Sequence, residues 1–223
     1  MKIISSTLSA MLLLLTISIN ADAQKALSEG SFVYDIIIQP KNAQAKSTSA
    51  LNGAKTTVYL KGGLSRTEMA SALGNETTIY NNKLGNAVIL KEYSGQKLMI
   101  TLNRDNWIER NKRFDGITFE STSEAKVING YNCKKALAKL KDGSSITVYY
   151  TPEITLLNKD FNQAFKNLPG FPVEYEFETE KMTFKYTLSQ INFNAVAAAK
   201  FDFPKGGYRI MTYDENKNVK NEE

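Results

Sequence analysis

Six short runs of β-branched and aromatic residues follow one another between positions 31 and 102, and the punctuation between them leaves little choice of topology. The runs cover 31–38, 55–61, 64–71, 76–81, 87–92 and 96–102, with Gly62-Gly63, Gly74-Asn75, Leu84-Gly85 and Ser94-Gly95 between the last five. Links this short join antiparallel neighbours, because a parallel pair needs a crossover of a dozen residues or more. The first half therefore reads as a meander.

Further runs at 117–120, 126–140, 145–151, 173–178 and 182–194 bring the strand count to ten or eleven. Asn129-Gly130 leads into a hairpin. Sidedness is clearest near the C-terminus, where Met182, Phe184, Tyr186 and Leu188 alternate with Thr183, Lys185, Thr187 and Ser189. A broad sheet with one apolar face must curl, close or be covered, since a monomer rarely exposes more than a few hundred Å² of contiguous apolar surface. The sequence predicts that the cover is a helix over 158–168. Phe161, Ala164, Phe165 and Leu168 fall at i, i+3, i+4 and i+7, Asn158 can act as N-cap, and Pro169-Gly170 ends the run. A second helical stretch is expected over 104–113, with Trp107, Arg110 and Phe114 on one side. The plain reading of both apolar stripes is core, with the wall of a ligand site as the alternative. The expected fold is mostly β: a curved antiparallel meander sheet or half-open barrel of about ten strands, covered by one or two helices.

The N-terminus reads as an export signal. Lys2 supplies the positive end, residues 10–19 the apolar segment and Ala21-Asp22-Ala23 an A-x-A site with cleavage before Gln24. The apolar segment is shorter than the ~20 residues of a membrane-spanning helix. With no cysteine near the cleavage point, a lipid anchor there is not expected. Removing 23 residues leaves 200, enough for one domain over 24–212. The polar stretch 42–54 reads as a loop or flap, and the charged residues 213–223 as a disordered tail. Asn75-Glu76-Thr77 matches an N-glycosylation acceptor, relevant only in a eukaryotic secretory route.

Composition removes whole classes of chemistry. The 223 residues contain no histidine and one cysteine, Cys133. Ser-His-Asp and Cys-His catalysis and histidine-ligated metal centres are thereby excluded, as is an intrachain disulfide. Cys133 reads as a small buried residue. Ser94-Gly95-Gln96-Lys97 and Ser123-Glu124-Ala125-Lys126 both match S-x-x-K, but Ser94-Gly95 sits in a turn, whereas serine-lysine enzymes place that serine at a helix start. Glu174, Glu176 and Glu178 alternate with Val173, Tyr175 and Phe177 as on a solvated strand face, which leaves carboxylate hydrolysis as a remote alternative.

Gly130-Tyr131-x-Cys133-x-x-Ala136, the run Val148-Tyr149-Tyr150-Thr151-Pro152-Glu153-Ile154, Leu168-Pro169-Gly170 before a strand, and the ending Phe203-Pro204-x-Gly206-Gly207-Tyr208 are similar to the GLPGLI family of secreted proteins of Gram-negative bacteria. The likeness spans roughly 31–208. It departs at the name-giving hexapeptide, where Asn167 stands for the first glycine and Phe171-Pro172 for the last two residues. That family resembles, more distantly, the lipoprotein carrier and acceptor (LolA/LolB-like) proteins of the periplasm. The resemblance implies a half-open barrel with an apolar mouth, no established catalytic residues and no cofactor.

The resulting expectation is an exported, non-enzymatic protein that binds an acyl chain, lipid or apolar peptide between sheet and helix. The lining residues would be Phe161, Phe165, Leu168, Tyr175, Phe177, Phe184 and Tyr186, with no metal or catalytic site. A packed envelope interaction module without a ligand is the alternative. The formal charge of +5 is concentrated at Lys134, Lys135, Lys139 and Lys141 and at Arg104, Arg110, Lys112 and Arg113. Asp105, Glu109 and Asp115 interrupt the second, so the clusters read first as an ordinary solvated surface; the alternative, outside the cytoplasm, is an envelope protein or an anionic membrane surface rather than nucleic acid.

Overall fold

The computed structural model describes residues 24–41, 53–180 and 182–222. The expected signal segment with its cleavage site, and almost all of the expected flap at 42–54, lie outside those residues.

Consecutive hairpins build the meander: β2 (Glu29–Pro40), β3 (Ala54–Lys61), β4 (Leu64–Ser71), β5 (Gly74–Asn81), β6 (Asn86–Tyr93) and β7 (Gln96–Leu102) pair antiparallel in chain order. The turns between strands obey local chemistry. Ser94 and Gly95 take φ of 51° and 78°, and Asn129 and Gly130 take 49° and 83°. Two successive positive φ values match the right-handed strand twist, and Asn-Gly adopts them at little cost. On the far side, β8 (Glu120–Ile128), β9 (Tyr131–Lys139), β10 (Ser145–Thr151), β12 (Phe171–Glu178) and β13 (Met182–Asn192) continue the same sheet. β13 pairs with β2 and so joins the two halves. With β14 (Arg209–Thr212) parallel to β7, the order is β14-β7-β6-β5-β4-β3-β2-β13-β12-β10-β9-β8, twelve strands in a curved sheet whose ends do not meet. The short strands β1 (Lys25–Leu27) and β11 (Ile154–Leu156) pair with each other.

Period-two burial sets the inner face. Phe32, Tyr34, Ile36 and Ile38 of β2 are buried on one side, as are Ile146, Val148 and Tyr150 of β10. The main cluster joins Phe32 and Tyr34 and the β10 row to Phe171, Val173 and Tyr175 of β12, and a smaller one gathers Tyr80, Ile89, Ile100 and Trp107. Outside the sheet, residues 193–208 cross from β13, in its middle, to β14 at the edge beside β7. Lys61 Nζ donates to the Val196 carbonyl at 2.9 Å, Arg66 to that of Lys200 at 3.2 Å, and the Tyr208 hydroxyl to Glu92.

Three expectations change. The segment 158–168 is not an α-helix: it holds one 3-10 turn, Gln163–Phe165, inside an irregular lid over 157–170. Asn162 is extended (φ −130°, ψ 90°), and Asn158, far from capping a helix, is buried with no partner for its amide among the described residues. Side-chain bonds hold this segment instead, two to groups elsewhere in the chain and two within it. Asn82 donates to Asp160, Lys166 pairs with Asp160 at 2.7 Å, Lys159 donates to the Leu168 carbonyl and Asn167 to that of Ile117. Side chains that bond to distant groups or to nearby backbone compete with the helical ladder, and Asn and Asp do so readily. Pro169-Gly170 still ends the segment, and Gly170 is required there because a Cβ would collide with the Thr151 carbonyl oxygen.

The second correction concerns the C-terminus. The helix over 104–113 forms close to expectation, as α1 (Arg104–Asn111) capped by Asn103 and followed by a 3-10 turn, Lys112–Phe114. Tyr213–Glu222, however, form a further helix, α2, where the sequence suggested a disordered tail. Thr212 and Glu215 make reciprocal bonds at its start, a capping box, and Lys217 pairs with Glu109. Third, Glu174 is not solvated. It is buried on the outer face of β12 between Lys126 (2.9 Å) and Lys185 (3.1 Å), while Glu176 and Glu178 are both half-exposed and pair with Lys185 and Lys41. Burial raises the Glu174 carboxyl, but the two lysines outweigh it and hold the group below its ordinary value.

Candidate functional site

Between the lid, α1 and the inner face of the sheet lies a cavity of about 300 Å³. It exists because the floor is made of short side chains where the cover is held high. Across β3, β4 and β5 the register aligns Val58, Thr67 and Thr78 in one row and Thr56, Met69 and Glu76 in the next. Threonines at these positions leave unfilled the space that Leu or Phe would occupy in a packed core.

The other end is aromatic. Tyr175 and Tyr186 stack at 4.5 Å, Phe165 meets Tyr175 edge-on at 4.7 Å, and Phe161 stands 6.2 Å from Phe32. The Tyr34 hydroxyl donates to the Pro172 carbonyl at 2.6 Å. Burial pushes the phenols of Tyr34 and Tyr175 well above their ordinary range, so both stay neutral. Trp107, the one tryptophan of the chain, lies flat on Tyr80 at 4.3 Å and also lines the cavity. At the rim, Arg110 reaches Glu76 at 3.5 Å, and the Lys91 ammonium lies 3.9 Å from the same carboxylate.

Of the seven residues predicted to line a site, Phe161, Phe165, Tyr175, Phe177 and Tyr186 share this cavity wall. Leu168 does not; it is wholly buried in the main cluster beneath the lid. Phe184 packs instead with Ile36, Ile38 and Ala54 towards one end of β13. Sequence reasoning missed Phe32, Tyr34, Thr56, Thr67, Thr78 and Glu76. Their period-two placement on β2 to β5 marks an inward face, but nothing along the chain says that three threonines meet beneath a helix.

A second, polar groove of about 730 Å³ runs along the other side of α1, between Arg104, Asp105, Lys112, Asp160 and Lys166. Burial raises the Asp160 carboxyl, yet bonds from Lys166, Asn82 and Gln163 bring it below its ordinary value. Cys133 is buried in the core away from both cavities, and burial pushes its thiol up to about 11, which makes it a poor nucleophile at neutral pH. Ser94 lies in the β6–β7 turn, Lys97 pairs with Glu92, and Lys126 is taken up by Glu174, so neither S-x-x-K match forms a serine-lysine pair.

The Arg104–Arg113 cluster is laced with acids, Arg110 to Glu76 and Arg113 to Asp142. Among the described residues no group of three or more His, Cys, Asp or Glu is placed to hold a metal ion, and no helix is long and apolar enough to cross a membrane.

No family model matches the chain, and no curated protein matches it. Among solved structures, an uncharacterized conserved protein from Thermus thermophilus aligns at 11% identity with a TM-score of 0.50, covering 83% of this chain and 91% of that one. At this identity the likeness is one of fold. PNGF-II aligns at 14% identity and a TM-score of 0.48, over 86% of this chain, which spans about a third of that protein's length. The lipoprotein LppX of Mycobacterium tuberculosis aligns at 12% identity and a TM-score of 0.34, covering 76% of this chain and 89% of its own.

Proposed function

We propose that this is an exported, non-catalytic protein of the GLPGLI type that holds a hydrophobic ligand, an acyl chain, lipid or apolar peptide, between its curved sheet and the 157–170 lid. One observation carries the reading: an aromatic-walled cavity of about 300 Å³ lies over a floor of threonines inside an otherwise close-packed sheet. Apolar pockets with a few polar groups at one end are the usual form of small-molecule sites. Neutral phenols and rings offer dispersion contact without a nucleophile, in keeping with binding rather than turnover.

Trp107 provides the test. Titrating the purified protein with a fluorescent fatty acid should change Trp107 emission saturably, near one probe per chain. The double variant Thr67→Leu/Thr78→Leu, which fills the floor, should abolish the change while the far-ultraviolet circular dichroism stays unaltered. A wild-type protein that shows no saturable response to apolar probes refutes ligand binding. It would then favour a packed interaction module, a reading that rests on the almost wholly exposed edge strand β8, whose outer backbone groups are open to pairing.

A further inference from the structure

The walls of the cavity are graded, and the grading runs across the strands. Tyr186 of β13 pairs with Ile36 of β2; from Tyr34, the next inward residue of β2, the register leads through Thr56 of β3 and Met69 of β4 to Glu76 of β5. Neighbouring strands lie ~4.8 Å apart, so the four steps from β13 to β5 span roughly 19 Å. At the β13 end the walls are the rings of Tyr175, Tyr186, Phe165 and Phe177; at the β5 end they are Thr67, Thr78, Glu76 and Arg110. A ligand that filled this length with hydrocarbon alone would leave the charged end desolvated without compensation.

We infer that the cavity takes a single-chain amphiphile in one orientation, its tail among the rings and an anionic head group at Arg110; this rests on the binding reading above. Among the described residues three charged side chains line the cavity, Arg110, Lys159 and Glu76, two cations against one carboxylate. Lys159 is held by the Leu168 carbonyl, inside the lid. Of the two lining cations Arg110 stands at the rim, where Lys91 also faces Glu76; its side chain is about a third exposed, and its bond to Glu76 is long at 3.5 Å through a single guanidinium nitrogen. The remaining donors of the planar fork can bind a carboxylate or phosphate in the paired geometry that an ammonium lacks. Asn103 fixes the start of α1, and Trp107, one turn before Arg110, is clamped on Tyr80. The guanidinium is therefore carried on a rigid support, which lowers the ordering cost of recognition.

The experiment compares four twelve-carbon probes, dodecanoate, dodecyl phosphate, methyl dodecanoate and dodecylamine, by Trp107 emission on the purified protein. Dodecanoate or the phosphate should bind roughly fivefold or more tightly than ester and amine, the scale of one partly exposed charge-assisted contact. Whichever of the two binds tighter names the source of the head group. Arg110→Gln should remove that advantage and leave ester binding unchanged. Glu76→Gln, which deletes the competing carboxylate, should strengthen acid binding, and serves if Arg110→Gln fails to fold. Equal binding of all four probes, a preference for the amine, or an equal loss of acid and ester in Arg110→Gln overturns the assignment. Failure of every probe refutes the binding reading itself and this one with it.

Discussion

The two halves of the inner face solve the same packing problem differently. On β2, β10, β12 and the lid, large rings and aliphatic groups close on one another; Phe171 is fully buried and meets Phe32 at 5.1 Å. On β3, β4 and β5 the central positions carry threonines, and the cover is a helix that touches the floor through Trp107 on Tyr80. Close packing needs large and small residues to interdigitate across the gap. Where both sides are large the gap closes. Where the floor is short and the cover is propped up, it remains, so the cavity marks the seam between two packing styles.

That contrast breaks or sharpens on single substitutions. Phe165→Ala should show the largest effect, because Phe165 is buried against Tyr175 and Phe119. A loss of about 3–5 kcal/mol is expected from denaturant midpoints. Phe161 lines the same cavity but is only partly buried, so Phe161→Ala should cost less than half as much and act mainly on probe affinity. Equal losses would mean that the lid packs as one unit. The sequence pattern alone treats the two phenylalanines alike; their burial separates them.

Glu174→Ala should come next, about 1–3 kcal/mol at neutral pH, since it leaves Lys126 and Lys185 without their shared partner. The carboxyl is held below its unfolded value, so its contribution is present above the unfolded pKa near 4.5 and is lost as pH falls through the folded one. Urea midpoints of wild type and variant should therefore converge in acid. A constant gap down to about pH 2 would mean that the packing of the side chain, not its charge, matters.

Thr212→Ala removes the cap of α2 and should cost about 0.5–2 kcal/mol, read as faster amide exchange in that helix and not in the sheet. Smallest in stability is Cys133. Its thiol, raised to about 11 from an ordinary 9, carries a roughly hundredfold smaller thiolate fraction near neutral pH. Alkylation should thus be about two orders of magnitude slower in the native than in the urea-unfolded protein, and fast native labelling would show that the β9 core opens.

The fold was legible where local rules are strong. Period-two alternation and the Ser94-Gly95 turn specify most strands and hairpins within a few residues of their bounds; the exception is 117–140, where the expected runs 117–120 and 126–140 prove to be β8 (Glu120–Ile128) and β9 (Tyr131–Lys139) joined by a turn at Asn129-Gly130. The 158–168 stripe misleads because its inward residues do face inward, but on a chain shaped by Asn82, Ile117 and Leu168 rather than by its own helical bonds. The T-x-x-E box at Thr212-Tyr213-Asp214-Glu215 was in plain view and signals the helix that a charge-based reading passed over. Five of the seven predicted lining residues were within reach because they sit on one apolar stripe and two strands. The threonine floor and Glu76 were not, since their meeting depends on a register across three strands.

The pairing of β2 with β13 has a consequence for how the chain comes to be folded. β3 to β7 can zip up behind β2 by short-range contacts alone. The other edge of β2 must wait for a strand far along the chain, as in the pair Asp35–Thr187. Closing so long a loop is slow, and during synthesis a twelve-residue strand keeps a bare row of amides and carbonyls until residues 182–192 have been made. The sheet therefore has its most aggregation-prone edge early, in what becomes its middle, and a chain released before residue 182 would carry that edge permanently.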